Sequence, residues 1–212
     1  MEWLAVRAAA RWVAAVGIVG GAVLGCSESP PLGPPVPTGA TELEGSPMTS
    51  GPPPPPGWHL NEVTPSSEQE AHSSLLTYVK RTIAALPPGT TFDSGAFVGS
   101  GATPWCDDQP DDPATAPVRL QALGDIKVPD GMAPEEIISA AGQTWRSWGW
   151  YVYQRDDFKS PNQFGYGPDG YRLQIEVSNP PSYPPTLTAI SPCFPGNLVR
   201  DDLQFPRVVT AE

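Results

Sequence analysis

Eleven of the 31 residues from Ser27 to Gly57 are proline, five of them consecutive at Pro52–Pro56. Proline lacks a backbone N–H and locks φ near −65°, so such a stretch can enter neither a helix interior nor the middle of a sheet. Ser, Gly and Thr fill much of the remainder, leaving too little apolar surface to offset the entropy lost on ordering. The segment reads as a disordered, partly polyproline II linker, reaching up to roughly 90 Å at about 3.1 Å per residue. Proline runs also dock on aromatic grooves, but a semi-rigid stalk is the simpler reading. The linker splits the chain into a short N-terminal piece and a remainder, residues 58–212, long enough for one hydrophobic core.

The N-terminal piece, residues 1–25, reads as a cleaved signal peptide. Arg7 and Arg11 form a positive n-region, and Trp12–Leu24 is an apolar run of 13 residues. That run falls short of the ~20 residues a transmembrane helix needs, and suits an export signal. The box Val23-Leu24-Gly25-Cys26 that closes it reads as a lipobox, the cut-and-lipidate signal in which Cys26 becomes the first residue and carries a palmitate-type lipid. Leu24 is a less usual residue directly before the small Gly25. The alternative is a plain secretory signal, with Cys26 an ordinary thiol. The lipobox reading gives three parts: a cleaved signal peptide at 1–25, a lipidated cysteine and proline-rich linker at 26–57, and one globular domain at 58–212. It places that domain at the cell membrane, lipid-anchored on the extracytoplasmic face.

The chain has three cysteines. With Cys26 acylated, Cys106 and Cys193 remain, and an even pair in an exported chain predicts one disulfide. In the chain-entropy model a loop of that length adds about 4 kcal/mol of stability, less any native strain. Two cysteines and two distant histidines lack the clustered spacing of a zinc site. The net charge is −11, and removing residues 1–25, with Glu2, Arg7 and Arg11, leaves the remainder one unit more negative. Such a chain does not neutralise nucleic-acid phosphates, nor does it hold anionic lipid through a basic patch.

From Trp58 onward the pattern alternates between helix and strand periods. Ser66–Leu86 is a predicted helix with Ser67 and Glu70 as a capping box and a stripe at Ala71, Leu75, Val79, Ile83 and Leu86. Short strands follow at Thr91–Val98 and Pro117–Leu123, with Lys127-Val128 as an extension of the latter. A second helix spans Pro134–Trp148, with Ile137, Ile138, Ala141, Trp145 and Trp148 on its apolar face and Gly149 as a stop. Trp150–Tyr153 reads as a strand and Arg155–Asn162 as a loop. After the turn Gly167-Pro168-Asp169-Gly170, Tyr171–Val177 alternates strictly, and Thr186–Ile190 is the last predicted strand. The order α, β, β, α, β, β, β predicts an α+β fold: a two-layer sandwich with an antiparallel sheet of about four to five strands, two helices on one face, and one disulfide.

Few chemistries survive this reading. There is no G-x-S-x-G elbow, H-E-x-x-H pair or phosphate loop. His59 lies at the linker boundary, and His72 sits beside a helix stripe without a motif around it. The acidic run Asp107, Asp108, Asp111, Asp112 could attract calcium, but lacks the alternating D-x-D-x-D-G spacing of a calcium loop; a solvated acidic loop is the simpler reading. No catalytic residue, metal ligand or cofactor site is assigned. The suggestive feature is aromatic: Trp145, Trp148, Trp150, Tyr151 and Tyr153 fall within nine residues. The tryptophans read as core, whereas strand alternation sends either Trp150 or Tyr151 and Tyr153 to the outer face. Trp150, Tyr151 and Tyr153 are therefore the candidate ligand patch, suited to stacking on sugar rings or lining a lipid pocket.

Cys106-Asp107, Gly149-Trp150 after a helix, Gly-Pro-Asp-Gly-Tyr-Arg-Leu-Gln-Ile-Glu at 167–176, and Ser191-Pro192-Cys193-Phe194 carry a resemblance. Behind its lipobox, the chain over residues 65–195 resembles the LppA-like lipoproteins of mycobacteria and related actinobacteria. These motifs are structural, none catalytic. The resemblance implies a membrane-anchored envelope protein without an enzymatic activity to carry over, and the long proline stalk departs from the shorter tether such proteins lead one to expect. The functional expectation is a non-enzymatic extracytoplasmic binding or interaction domain whose partner is an envelope protein, lipid or glycan. The alternatives are a carrier or receptor for a small apolar or glycan ligand and, further off, an envelope hydrolase working through carboxylates.

Overall fold

The computed structural model describes residues 51–129, 132–200 and 202–211. The expected signal peptide, the lipobox with Cys26, and the linker up to residue 50 lie outside the described residues. Helix α1 spans Glu68–Ala84, and the Oγ of Ser67 accepts from the backbone N–H of Glu70 at 3.1 Å. The return half of the capping box shifts by one residue. Glu70 accepts from Ser66 instead, from its N–H at 2.8 Å and its hydroxyl at 2.6 Å, which holds its carboxyl below its ordinary range. Helix α2 spans Pro134–Ser147, opened by Pro134 and two acidic residues rather than by a side-chain cap. The buried stripes are those the spacing predicts: Ala71, Leu75, Val79 and Ile83 on α1, and Ile137, Ile138, Ala141 and Trp145 on α2.

The strands are β1 (Thr91–Asp93), β2 (Gln121–Lys127), β3 (Tyr151–Tyr153), β4 (Asn162–Tyr166), β5 (Arg172–Glu176), β6 (Thr186–Ile190) and β7 (Val208–Val209). They form one antiparallel sheet in the order β3-β4-β5-β6-β2-β1-β7. The α+β class, the antiparallel sheet and the disulfide are as expected; the expected four to five strands are seven. The two additional strands are β4, placed by the sequence pattern in and beyond a loop, and β7, in a tail without periodicity. Asn162-Gln163-Phe164-Gly165-Tyr166 has no β-branched residue and a glycine at its fourth position, both against strand propensity. It becomes a strand because β3 and β5 supply ladders on both sides. Gly165 is required there, since a Cβ would lie 2.8 Å from the Trp145 ring.

Register sorts the two faces of the sheet. Val152, Gly165, Leu173, Ala189 and Ala122 are aligned across five strands. This row and its neighbours join α1 and α2 in the main core with Trp145, Phe92 and Ile126. Trp145 crosses between the helices to donate to Thr82 Oγ1 at 3.0 Å. The opposite face carries Tyr151, Tyr166, Arg172, Ile190 and Gln121 in one aligned row, and Tyr153, Phe164, Gln174, Thr188 and Leu123 in the next. Cys106 and Cys193 are bonded, with Cα atoms 6.3 Å apart. The bond ties the irregular loop before β2 to the end of β6, where Val118 bridges both Trp105 and Phe194.

Candidate functional site

Strand alternation decides which of the expected patch residues belong together. Tyr151 and Tyr153 share the outer face. Trp150, one residue before, turns into the core, with its ring 4.9 Å from Tyr78 and 5.6 Å from Trp148. The patch expected at Trp150, Tyr151 and Tyr153 is corrected accordingly: Trp150 leaves it, and Tyr166 from β4 enters. The Tyr153 and Tyr166 rings are stacked at 5.4 Å with an 11° interplanar angle, and their hydroxyls are 3.3 Å apart. Tyr151 lies 4.8 Å from Tyr153 and 5.9 Å from Tyr166. Three rings thus tile one end of the outer face. Tyr166 was missed with its strand, although Phe164 and Tyr166 alternating with Gln163 and Gly165 was a legible signal.

These rings do not stand free, with only 5% of Tyr151 and 8% of Tyr153 exposed. The cover is the segment from Gly51 to Trp58. The Tyr151 hydroxyl donates to the Pro52 carbonyl. Gly51 lies so close over the Tyr153 ring that a Cβ there would collide with it. Pro56 and Gly57 (φ +83°) then form a tight turn closed by Trp58 N–H to Pro55 O at 3.0 Å. Trp58 lands with its ring 5.5 Å from Tyr151. Beyond it, Asn61 and Val63 donate to the carbonyls of Pro168 and Asp169 at 2.6 and 3.0 Å. Residues 51–57, read from the sequence as the end of a free stalk, therefore lie against β3. Burial raises the phenol pKa of Tyr151, and burial followed by the hydrogen bond with Tyr166 raises that of Tyr153. Both hydroxyls accordingly remain protonated donors throughout the physiological range.

Beside the tyrosines, Arg155 sets its guanidinium 4.6 Å from the Phe158 ring centre and 5.1 Å from that of Phe164. Asp157 holds it in a two-point contact at 2.6 and 3.1 Å. Buried Asn162 fixes this corner by bonding the N–H and carbonyl of Arg155 and the carbonyl of Lys159.

A second concavity, of about 270 Å³, opens on the helix side, lined by Ser73, Ser74, Thr77, Tyr78, Arg81 and Asp169. Tyr78 donates to Asp169 Oδ2 at 2.5 Å, and burial together with that bond keeps its phenol protonated. Arg81 lies 4.2 Å from the Trp148 ring centre. The arrangement offers hydroxyls, a carboxylate and an aromatic floor.

The remaining sequence candidates serve structure. His72 Nε2 meets the Gln204 carbonyl at 3.1 Å and its ring packs 5.3 Å from Phe205. In the acidic run, Asp107 accepts from Gln109 N–H, and Asp112 accepts from Ala114 N–H and the Thr115 hydroxyl. Among the described residues no group of three His, Cys, Asp or Glu could hold a metal ion, and no helix is long and apolar enough to cross a membrane. Cys26 lies outside the described residues. The fold and this surface define a disulfide-linked α+β module with an aromatic sheet end covered by a proline run. Comparison with protein-family models, curated proteins and solved structures finds no match to the chain.

Proposed function

We propose that the chain is a cell-envelope lipoprotein, anchored through a lipid on Cys26 and presenting a non-enzymatic interaction domain on the extracytoplasmic face of the membrane. The carrying observation is the Cys106–Cys193 disulfide. It suits an oxidising compartment outside the cytosol, and it leaves Cys26 as the odd thiol behind an export-type apolar run. In this reading residues 1–25 are removed, the prolines up to residue 50 raise the domain above the bilayer, and the partner is an envelope protein, lipid or glycan. The resemblance to LppA-like lipoproteins belongs to the same proposal. Membrane fractionation of Cys26→Ala tests it: the variant is expected in the soluble fraction, and an unchanged membrane fraction overturns the anchor.

A second reading, a receptor for a small glycan, is favoured by the cleft at Tyr78 and Asp169, where hydroxyls and a carboxylate surround aromatic rings. Tyr78→Phe removes the donor to Asp169. Glycan-array binding by the parent chain that survives in Tyr78→Phe would place the ligand elsewhere.

A further inference from the structure

We propose that the Tyr151–Tyr153–Tyr166 face is a groove for polyproline segments, which the chain fills with its own Pro52–Pro56 run, so that a proline-rich segment of a partner protein binds by displacing it. This deepens the interaction-domain reading by naming the chemistry of the partner, and it rests on that reading only for its location outside the membrane.

The argument starts from what a proline run can offer. Five prolines in sequence have no N–H, so their backbone presents carbonyl acceptors alone, on a stiff rod with apolar ring faces. A surface that reads such a rod needs flat apolar area and hydrogen-bond donors at its edge. The outer sheet end has both. Tyr153 and Tyr166 are stacked, with Tyr151 beside them, and the Tyr151 hydroxyl is already donated to a proline carbonyl. The raised phenol pKa values keep that donor protonated.

Two further features mark the resident run as a replaceable occupant. Every residue from Gly51 to Gly57 is exposed, so the run is covered on one side only. The Trp58 indole N–H is buried without a hydrogen-bond partner, directly after the turn that ends the run. A donor left unpaired in a buried position costs free energy, and a differently placed proline carbonyl would satisfy it. The chain beyond is held independently by the bonds of Asn61 and Val63 to Pro168 and Asp169. The run can therefore lift at Gly57 while Trp58 stays at the groove.

Occupancy in cis sets the size of the effect. A short tether keeps its ligand at an effective concentration on the order of 1 mM. A free peptide whose intrinsic Kd is ~100 μM is then weakened roughly tenfold in the parent chain.

The experiment titrates decaproline, with a Gly-Ser decapeptide as control, into the full chain purified in detergent. Binding is read by calorimetry and by the ring signals of Tyr151 and Tyr153. In the opened variant Pro52→Ser, Pro53→Ser, Pro54→Ser, Pro55→Ser, decaproline is expected to bind roughly tenfold tighter than to the parent, and the Gly-Ser peptide to leave the rings unmoved. Tyr151→Phe in the opened background keeps the ring and removes the donor; it is expected to weaken decaproline severalfold. A folded opened variant whose tyrosine signals do not respond to decaproline overturns the groove, and equal affinities in parent and opened chains overturn the occupancy in cis. No membrane enters these measurements, so their failure is separable from failure of the lipid anchor.

Discussion

The two faces of the sheet are covered by different means. Two helices cover the inner face, and side chains on both sides of that contact reach zero exposure, Leu75 and Trp145 on the helices and Ile175 and Leu187 on the sheet. At the β3–β4 end of the outer face, the exposed segment 51–57 covers tyrosines through Gly51 against the Tyr153 ring and a hydroxyl-to-carbonyl bond from Tyr151 to Pro52, with the Trp58 ring alongside. Farther along, the outer face turns polar, with Glu176, Thr186, Asp125 and Asp93 aligned across β5, β6, β2 and β1. A cover shared by many interdigitated side chains stabilises the fold and is lost only with it. A one-sided cover made by a stiff strap can be exchanged while the fold persists. The inner face thus carries stability, and the outer aromatic end carries adaptability.

This contrast is open to attack by mutation. The largest effect is expected for Trp145→Ala, which empties the centre of the inner face and removes the bond to Thr82. A loss of about 3–5 kcal/mol should appear as a lower urea midpoint, and a loss under ~1 kcal/mol would remove the inner face from its role. Replacing Cys106 and Cys193 together by Ser should cost about 2–4 kcal/mol by the same measurement. Tyr153→Ala removes a stacked, largely buried ring under the strap and should cost about 2 kcal/mol. A value matching Trp145→Ala would erase the distinction between the faces. Tyr151→Phe loses one hydrogen bond and should cost about 0.5 kcal/mol, with increased hydrogen exchange at the Trp58 N–H that closes the turn onto Pro55.

The smallest expected effect is a pH dependence on the polar stretch. Burial raises the carboxyl pKa of Glu176, with Lys159 opposing it. A raised carboxyl pKa means that the folded state binds its proton more readily than the unfolded state. Stability is therefore lost as pH rises from the unfolded pKa through the folded one. Glu176→Gln should be the more stable protein at neutral pH, by no more than about 0.5 kcal/mol after solvent screening. The advantage should vanish below the carboxylate range, and thermal melts across pH would show whether it does.

Much of the inner face was legible. The α1 stripe, the α2 stripe and the alternation of Tyr171–Val177 each repeat at the period of the element they form, because one buried face imposes that period on the sequence. β6 was legible to its bounds. β4 carries only a short alternation of Phe164 and Tyr166 with Gln163 and Gly165, and its strand state is decided by the partners on both sides. β7 was hidden for the same reason: two valines become a strand only by pairing with Phe92 and Asp93. The candidate site was half legible. Alternation marked Tyr151 and Tyr153 as possible outer-face rings, but Tyr166 comes from the missed strand, and the proline cover depends on a contact across about a hundred residues of chain.

By itself the sequence determined the helices, the α+β class, the pairing of Cys106 with Cys193, and the inability of the proline-rich stretch to enter a helix or sheet interior. These follow from local period, cysteine parity and the stereochemistry of proline. Only the tertiary structure decided that the sheet has seven strands, that Trp150 belongs to the core while Tyr166 joins the tyrosines, and that residues 51–57 lie on them. Each of these depends on which distant backbone comes alongside, and a one-dimensional pattern records the face a residue needs to bury but not the element that buries it.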